Sequence, residues 1–166
     1  MIIMAHTSPP PDEALTPSQV TLGSLPILLS YALRRAELVV SADLRKHFAE
    51  ADIRPTQYAV LKVLALNPGL RQTQVSAALG LKRTNFVPLL DGLEKRDLAE
   101  RRPVPTDRRS SAIYLTKAGA ELLERLDAKV AQHEARFVER IGSDGKYQLI
   151  GLLHRLTAGE LAPESD

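Results

Sequence analysis

Between Lys82 and Arg109 the chain concentrates groups that bind phosphates and base edges. Lys82, Arg83, Lys95, Arg96, Arg101, Arg102, Arg108 and Arg109 stand there against only Asp91, Glu94, Asp97, Glu100 and Asp107. The chain as a whole carries a net charge of only +2, so the local excess is what points to a polyanionic partner. Thr84 and Asn85 lie directly beside the first two cations. An asparagine amide can read adenine through two hydrogen bonds, and a guanidinium can read guanine. The same cations can equally make sequence-blind phosphate contacts, and both uses are open to Lys82 and Arg83.

Other chemistries find less support. The four histidines, His6, His47, His133 and His154, are widely spaced and show no metal-ligand pattern. No cysteine is present, which removes disulfides and thiolate chemistry and fits a reducing compartment. No nucleophile–base pair and no phosphate-binding loop stands at a supporting spacing, so an enzyme is not expected. Neither a metal nor a cofactor is indicated. Hydrophobic content of 44% and charged content of 25% over 166 residues are those of a folded globular protein. No apolar run approaches the roughly 20 residues needed to span a bilayer. The N-terminal sequence lacks the basic start of a secretory signal, so a cytoplasmic location is expected.

The basic segment needs elements to hold it, and their signals are legible. Ser24 with Pro26 marks a helix start, and Ile27 to Glu50 runs without glycine or proline. Its apolar residues fall on more than one face, which calls for more than one packing partner, the second being another subunit. Arg54-Pro55-Thr56 starts the next helix with Thr56 as a candidate N-cap, and Tyr58, Leu61, Leu64 and Ala65 are expected inside. Asn67-Pro68-Gly69 reads as a turn. Gln72 to Leu79 forms a short helix closed by Gly80, and Arg83 to Arg96 forms another that buries Phe86, Leu89, Leu90 and Leu93. Ala99–Arg102 and Ala112–Leu115 read as two strands, with Pro103 and Pro105 at a hairpin edge or loop. Thr116 caps a long helix, Gly142-Ser143-Asp144 interrupts it, and a last helix carries Tyr147, Ile150, Leu153 and Leu156. The fold class expected is mainly α with a small β-hairpin wing, a winged helix-turn-helix flanked by long N- and C-terminal helices.

The stretch from Leu79 to Gly119 resembles the core of the MarR family of transcription regulators. Leu79-Gly80-Leu81, Leu93-Glu94-Lys95-Arg96, Leu98-Ala99-Glu100-Arg101, Asp107-Arg108-Arg109 and Leu115-Thr116 carry the likeness over about forty residues. Helix order and length agree over most of the rest from Ser24. The resemblance implies a ligand-responsive homodimer that binds a pseudo-palindromic operator in double-stranded DNA, commonly as a repressor. It assigns Arg109 to the wing tip, reaching into the minor groove, and Asp107 to the acid that steadies it. Arg108 would add phosphate affinity, and Arg101 and Arg102 would either do the same or solvate the strand. The chain departs from the family in placing Lys82, Arg83, Thr84 and Asn85 where small hydroxyl residues are frequent. Pro88 stands where many relatives have a DNA-facing cation and is expected to bend its helix. Asp97 replaces a glycine at the helix end, tolerable because aspartate visits left-handed conformations.

The resemblance also implies an effector, a small aromatic acid or an aryl-CoA thioester, bound between the terminal helices and the winged unit. Tyr31, Arg34, Arg35, His47, Phe48 and Tyr58 are the candidate contacts, the alternative being that the rings are core and the arginines surface. The expected division is a flexible arm over 1–20, an N-terminal dimerisation helix over 21–53 and a DNA-binding region over 54–116. C-terminal dimerisation helices over 117–158 and a flexible tail over 159–166 complete it. A competing reading keeps the winged fold but has it dock a protein without reading DNA; the adjacent Arg108 and Arg109 count against it.

Overall fold

The computed structural model describes residues 20–104 and 107–158, with residues 107–110 described by their backbone alone. The expected arm and tail lie outside the described residues, Val20 excepted. Two units are distinguished, residues 1–39 and 40–166, and each is described by itself. In the first, Ser24 precedes a 3-10 turn, Leu25–Ile27, with Pro26 in its opening positions. Helix α1 (Leu29–Phe48) starts after the extended Leu28, and Val40 onward belongs to the second unit.

The second unit contains α2 (Pro55–Leu66), β1 (Leu70–Arg71), α3 (Gln72–Ala78), α4 (Arg83–Lys95), β2 (Ala99–Val104), β3 (Asp107–Leu115) and α5 (Lys117–Thr157). Proline opens α2 at a position where its missing N–H costs nothing, so the N-cap is Arg54 and not Thr56. Gln57 takes over the capping work, its Oε1 accepting the Arg54 amide at 2.8 Å. Leu61 and Leu64 are buried as expected, but Ala65 is exposed. Helix α3 ends at Gly80, whose φ of 63° is the left-handed value that the turn into α4 requires. A side chain there would meet nothing within 4 Å, so the backbone conformation alone calls for glycine.

Helix α4 continues through Pro88 to Lys95 in place of ending or breaking there. Phe86, Leu90 and Leu93 are fully buried, Leu89 is half-buried, and Pro88 lies on the exposed side. The lost hydrogen bond is therefore on the face turned to solvent, where water can satisfy the carbonyl one turn earlier. At the end of α4, Asp97 has φ 55° and turns the chain into β2.

The sheet has three strands in the order β1-β3-β2, all antiparallel. The hairpin strands are longer than the sequence indicated. The third strand, β1, pairs Leu70 with Ile113 and Arg71 with Ala112. Two residues are too few to show strand periodicity. Pro103 sits in β2, an edge strand, where a missing donor is tolerated, and the register shifts at Pro103/Val104. Pro105 lies outside the described residues.

One apolar core joins these elements: Phe48, Val60, Leu61, Leu64, Val75, Phe86, Leu90, Leu93, Ile113 and Leu126 are essentially inaccessible. Thr116 caps α5 as expected, its hydroxyl accepting the Gly119 amide at 2.9 Å and donating to the Asp97 carbonyl at 2.5 Å. Gly119 packs directly on Leu98, the residue before β2, and an added Cβ would lie 2.0 Å from its carbonyl oxygen. Farther along, Gly142 leaves the helical region at φ 74°, ψ 161° and breaks α5 where the sequence interrupts.

Gly119→Ala should destabilise the fold by at least about 1–3 kcal/mol, the usual cost of forcing extra volume into a packed site. Urea unfolding followed by circular dichroism reads this directly. A midpoint equal to wild type would show that the Leu98–Gly119 approach is not a tight contact.

Candidate nucleic-acid interface and effector cavity

The burial of Phe86, Leu90 and Leu93 fixes the azimuth of α4 and leaves Lys82, Arg83, Thr84 and Asn85 exposed at its start. Lys82 is the N-cap in an extended conformation, and its carbonyl accepts the amides of Asn85 and Phe86 at 3.0 Å. No side chain caps this end, so the positive end of the helix dipole is reinforced by two adjacent cations. Thr84, Asn85 and Pro88 also line a groove of about 640 Å³ against Arg54, Thr56 and Gln57 at the start of α2.

The arginines of the hairpin separate into different tasks. Arg101 is turned back onto α4: its guanidinium meets Asp91 at 2.8 Å and donates to Glu94, whose other carboxylate oxygen accepts the Arg101 amide at 2.9 Å. A side chain so committed fixes the wing to the helix, which suits neither of the two uses open to it in sequence, phosphate contact or solvating the strand. Arg102 is exposed, pairs with Glu100, and lies 4.4 Å over the Tyr114 ring. Tyr114 in turn rests against Gly69, where a Cβ would come within 3.0 Å of its hydroxyl. Asp107, Arg108 and Arg109 open β3, and their side chains lie outside the described residues. Arg96 is also internally engaged, donating to the Ala51 and Asp52 carbonyls at 2.8 and 2.6 Å.

A cavity of about 440 Å³ lies between the end of α1 and the first half of α5. Leu98, Leu122 and Leu126 form its apolar part, and Arg96, Arg125, Lys129, Glu50 and Glu121 its charged rim. Of the six expected effector contacts, His47 alone lines this cavity. Phe48 is fully buried in the core and packs on the half-buried Tyr58 with ring centroids 5.3 Å apart, and neither lines this cavity. Tyr31, Arg34 and Arg35 belong to the first unit, where Arg34 pairs with Glu37 at 3.6 Å. Arg125 and Lys129 of the cavity rim are not among the expected contacts, because exposed cations on a long helix look alike in sequence.

Two polar ties run from α5 to its neighbours. Tyr58 donates to Asp127 at 2.8 Å and Lys62 meets the same carboxylate at 2.6 Å. Burial first, and then the bond to Asp127, push the Tyr58 phenol up to about 12. Burial would raise the Asp127 carboxyl, but the bonds from Lys62 and Tyr58 outweigh it and hold the group below its ordinary value. In the second tie, Asp43 accepts from His133 at 2.8 Å and from Arg136 at 2.5 Å, with His47 Nδ1 at 3.4 Å from the same oxygen that faces His133. The His133 bond chiefly holds Asp43 below its ordinary value; burial opposes it, and Arg136 and His47 add to the lowering. The fold brings Asp43, His47 and His133 together, although the histidines are widely spaced in the sequence. Asp43 and His47 are four residues apart, a spacing the sequence offered; the third member is 90 positions away.

The MarR family model matches residues 51–110. A protein of Thauera aromatica assigned as the transcriptional regulatory protein for the hcr operon is 30% identical over 152 residues, spanning 91% of this chain and 90% of the relative. The chain belongs to the MarR family. The transcriptional repressor CouR, solved on a 23-mer DNA duplex, is 40% identical with a TM-score of 0.80, over 83% of this chain and 98% of that one. CouR bound to p-coumaroyl-CoA is 37% identical with a TM-score of 0.79, over 84% and 99%. The fold is thus the winged helix of MarR-family transcriptional regulators, not of enzymes. Among the described residues no helix is long and apolar enough to cross a membrane.

The α2–α5 tie has a pH signature. A phenol raised from 10.0 to about 12 in the folded state contributes stability that is complete below about 10 and is lost as pH rises through about 12. In Asp127→Asn the Tyr58 midpoint should fall yet stay above 10.0, since burial is the larger cause. Ultraviolet absorbance of tyrosinate follows it; an unchanged midpoint would rule out the Asp127 contribution.

Proposed function

We propose that this protein is a homodimeric, sequence-specific DNA-binding repressor released by a small aromatic anion, with an aryl-CoA thioester the favoured class. The observation that carries the DNA reading is the exposed start of α4, Lys82-Arg83-Thr84-Asn85, presented beside a basic hairpin by a fully buried opposite face. In this reading α4 enters the major groove by its first turn and Asn85 and Arg83 read bases. Lys82, Arg102 and Arg108 contact phosphates, and Arg109, steadied by Asp107, enters the minor groove. Arg101 serves as the strut that sets the wing's angle. A repressor with 40% identity, solved on a DNA duplex, supports it.

Exposed apolar side chains on α1 (Leu29, Leu38, Val39) and beyond the Gly142 break in α5 (Tyr147, Leu149, Leu152, Leu156) support a dimer built by the terminal helices. The effector reading rests on CouR, solved with p-coumaroyl-CoA, and on the cavity rimmed by Arg96, Arg125 and Lys129, which suits an anion. Tyr31, Arg34 and Arg35 of the first unit remain proposed effector contacts. A ligand that fits only one spacing of α5 against α1 would shift the population between DNA-binding and released forms.

Fluorescence anisotropy with the DNA upstream of the protein's own gene tests the first part. Arg109→Ala should weaken binding by about 1–3 kcal/mol and lower the salt slope by about one, with the dimer intact. Equal affinity would remove the wing from the interface. Arg101→Ala should instead lower thermal stability and impair DNA binding through a loosened wing, with little change in salt slope. For the effector, an aryl-CoA thioester should release the DNA where CoA alone does not. No binding of any aromatic acid or thioester, with operator affinity intact, would refute that part.

A further inference from the structure

The geometry points to a divalent transition-metal site formed by Asp43 and His47 of α1 and His133 of α5. This inference stands apart from the DNA and effector readings. Asp43 Oδ2 lies 2.8 Å from His133 Nδ1 and 3.4 Å from His47 Nδ1, and one ligand atom from each residue falls within 4.8 Å of the others. A tetrahedral ion with bonds of about 2.0–2.2 Å separates its ligands by about 3.3–3.5 Å. Small side-chain adjustments therefore suffice to convert the observed triangle into a coordination shell. All three side chains are shielded, with relative exposures of 13% for Asp43, 16% for His47 and 3% for His133.

The surroundings fit a ligand set better than a chance hydrogen bond. Arg136 occupies the other oxygen of Asp43 at 2.5 Å, leaving Oδ2 as a single, oriented donor. Ligating carboxylates are commonly fixed in this way by a second partner. Phe137 packs edge-on against the His133 ring with centroids 5.0 Å apart, which restrains the imidazole. Binding requires both imidazoles to be neutral with Nδ1 free of hydrogen, so His47 Nδ1 gives up its bond to the Asp43 main-chain carbonyl at 2.9 Å and His133 Nδ1 gives up its bond to Asp43 Oδ2 at 2.8 Å. Two nitrogens and one carboxylate oxygen select Zn²⁺, Co²⁺, Ni²⁺ or Cu²⁺ over Mg²⁺ and Ca²⁺. Three protein ligands leave a fourth position for water or an added anion, and His47 is also a wall of the cavity beside α5. The bound ion would tie the end of α1 to the middle of α5.

The test uses the full-length, tag-free protein, stripped with a chelator and titrated with Co²⁺. One equivalent per chain should give the intense visible bands of a four-coordinate ion, and Zn²⁺ should displace it. Asp43→Asn and His47→Ala, each shown to be folded by circular dichroism, should abolish the bands or weaken affinity at least tenfold. Because His133 is buried, its substitution is left out of the decision. Absence of the bands in wild type, or bands and affinity unchanged in both variants, would overturn the assignment.

Discussion

The wing, the helix before it and the helix after it all meet at a single junction between Asp97 and Gly119. Asp97 turns left-handed, which releases its carbonyl to the Thr116 hydroxyl, and the Leu98 carbonyl accepts the Thr116 amide at 3.3 Å. Gly119 then allows the first turn of α5 to lie against the backbone of Leu98, just before β2. A β-hairpin alone has no fixed direction relative to the helices beside it. Here its base is held from both sides, by α4 through Asp97 and by α5 through Thr116. Arg101 adds a second hold higher up, on Asp91 and Glu94. The direction of the base of the wing is therefore set by contacts with the two helices that flank it in the chain.

Much of this was legible because it is local. Gly80, the left-handed Asp97, the Thr116 cap and the Gly142 break are each decided by a residue's own backbone preference, which needs no distant partner. The alternation of Phe86, Leu90 and Leu93 with polar neighbours likewise determined which face of α4 is exposed. What escaped was non-local. The strand β1 exists because Leu70 and Arg71 find β3 some forty residues later, and the two residues alone carry no pattern. Thr56 lost its expected cap role because Pro55 is better suited to the first helical position, which moved the cap to Arg54. Arg101 and Arg102 are adjacent and chemically identical, yet strand alternation sends one to α4 and the other over Tyr114.

The candidate effector residues show the same limit. Sequence reasoning grouped Phe48 and Tyr58 with the arginines of α1 because aromatic rings and cations suit an aromatic anion. In the fold, Phe48 is a core residue and Tyr58 is tied to Asp127, while the cavity takes its cations from α4 and α5. The convergence of His47, Asp43 and His133 required knowing which turn of α5 lies beside α1, a matter of packing and not of spacing.

The two polar ties on α5 also bear on how that helix can move. Asp127 and His133 are six residues apart, about 9 Å along the axis at 1.5 Å per residue. Apolar helix faces slide over one another by fractions of an ångström at little cost. A carboxylate held by Tyr58 and Lys62, and another held by His133 and Arg136, have no equivalent partners at intermediate offsets. Any slide of α5 along its axis would therefore stretch both ties at once.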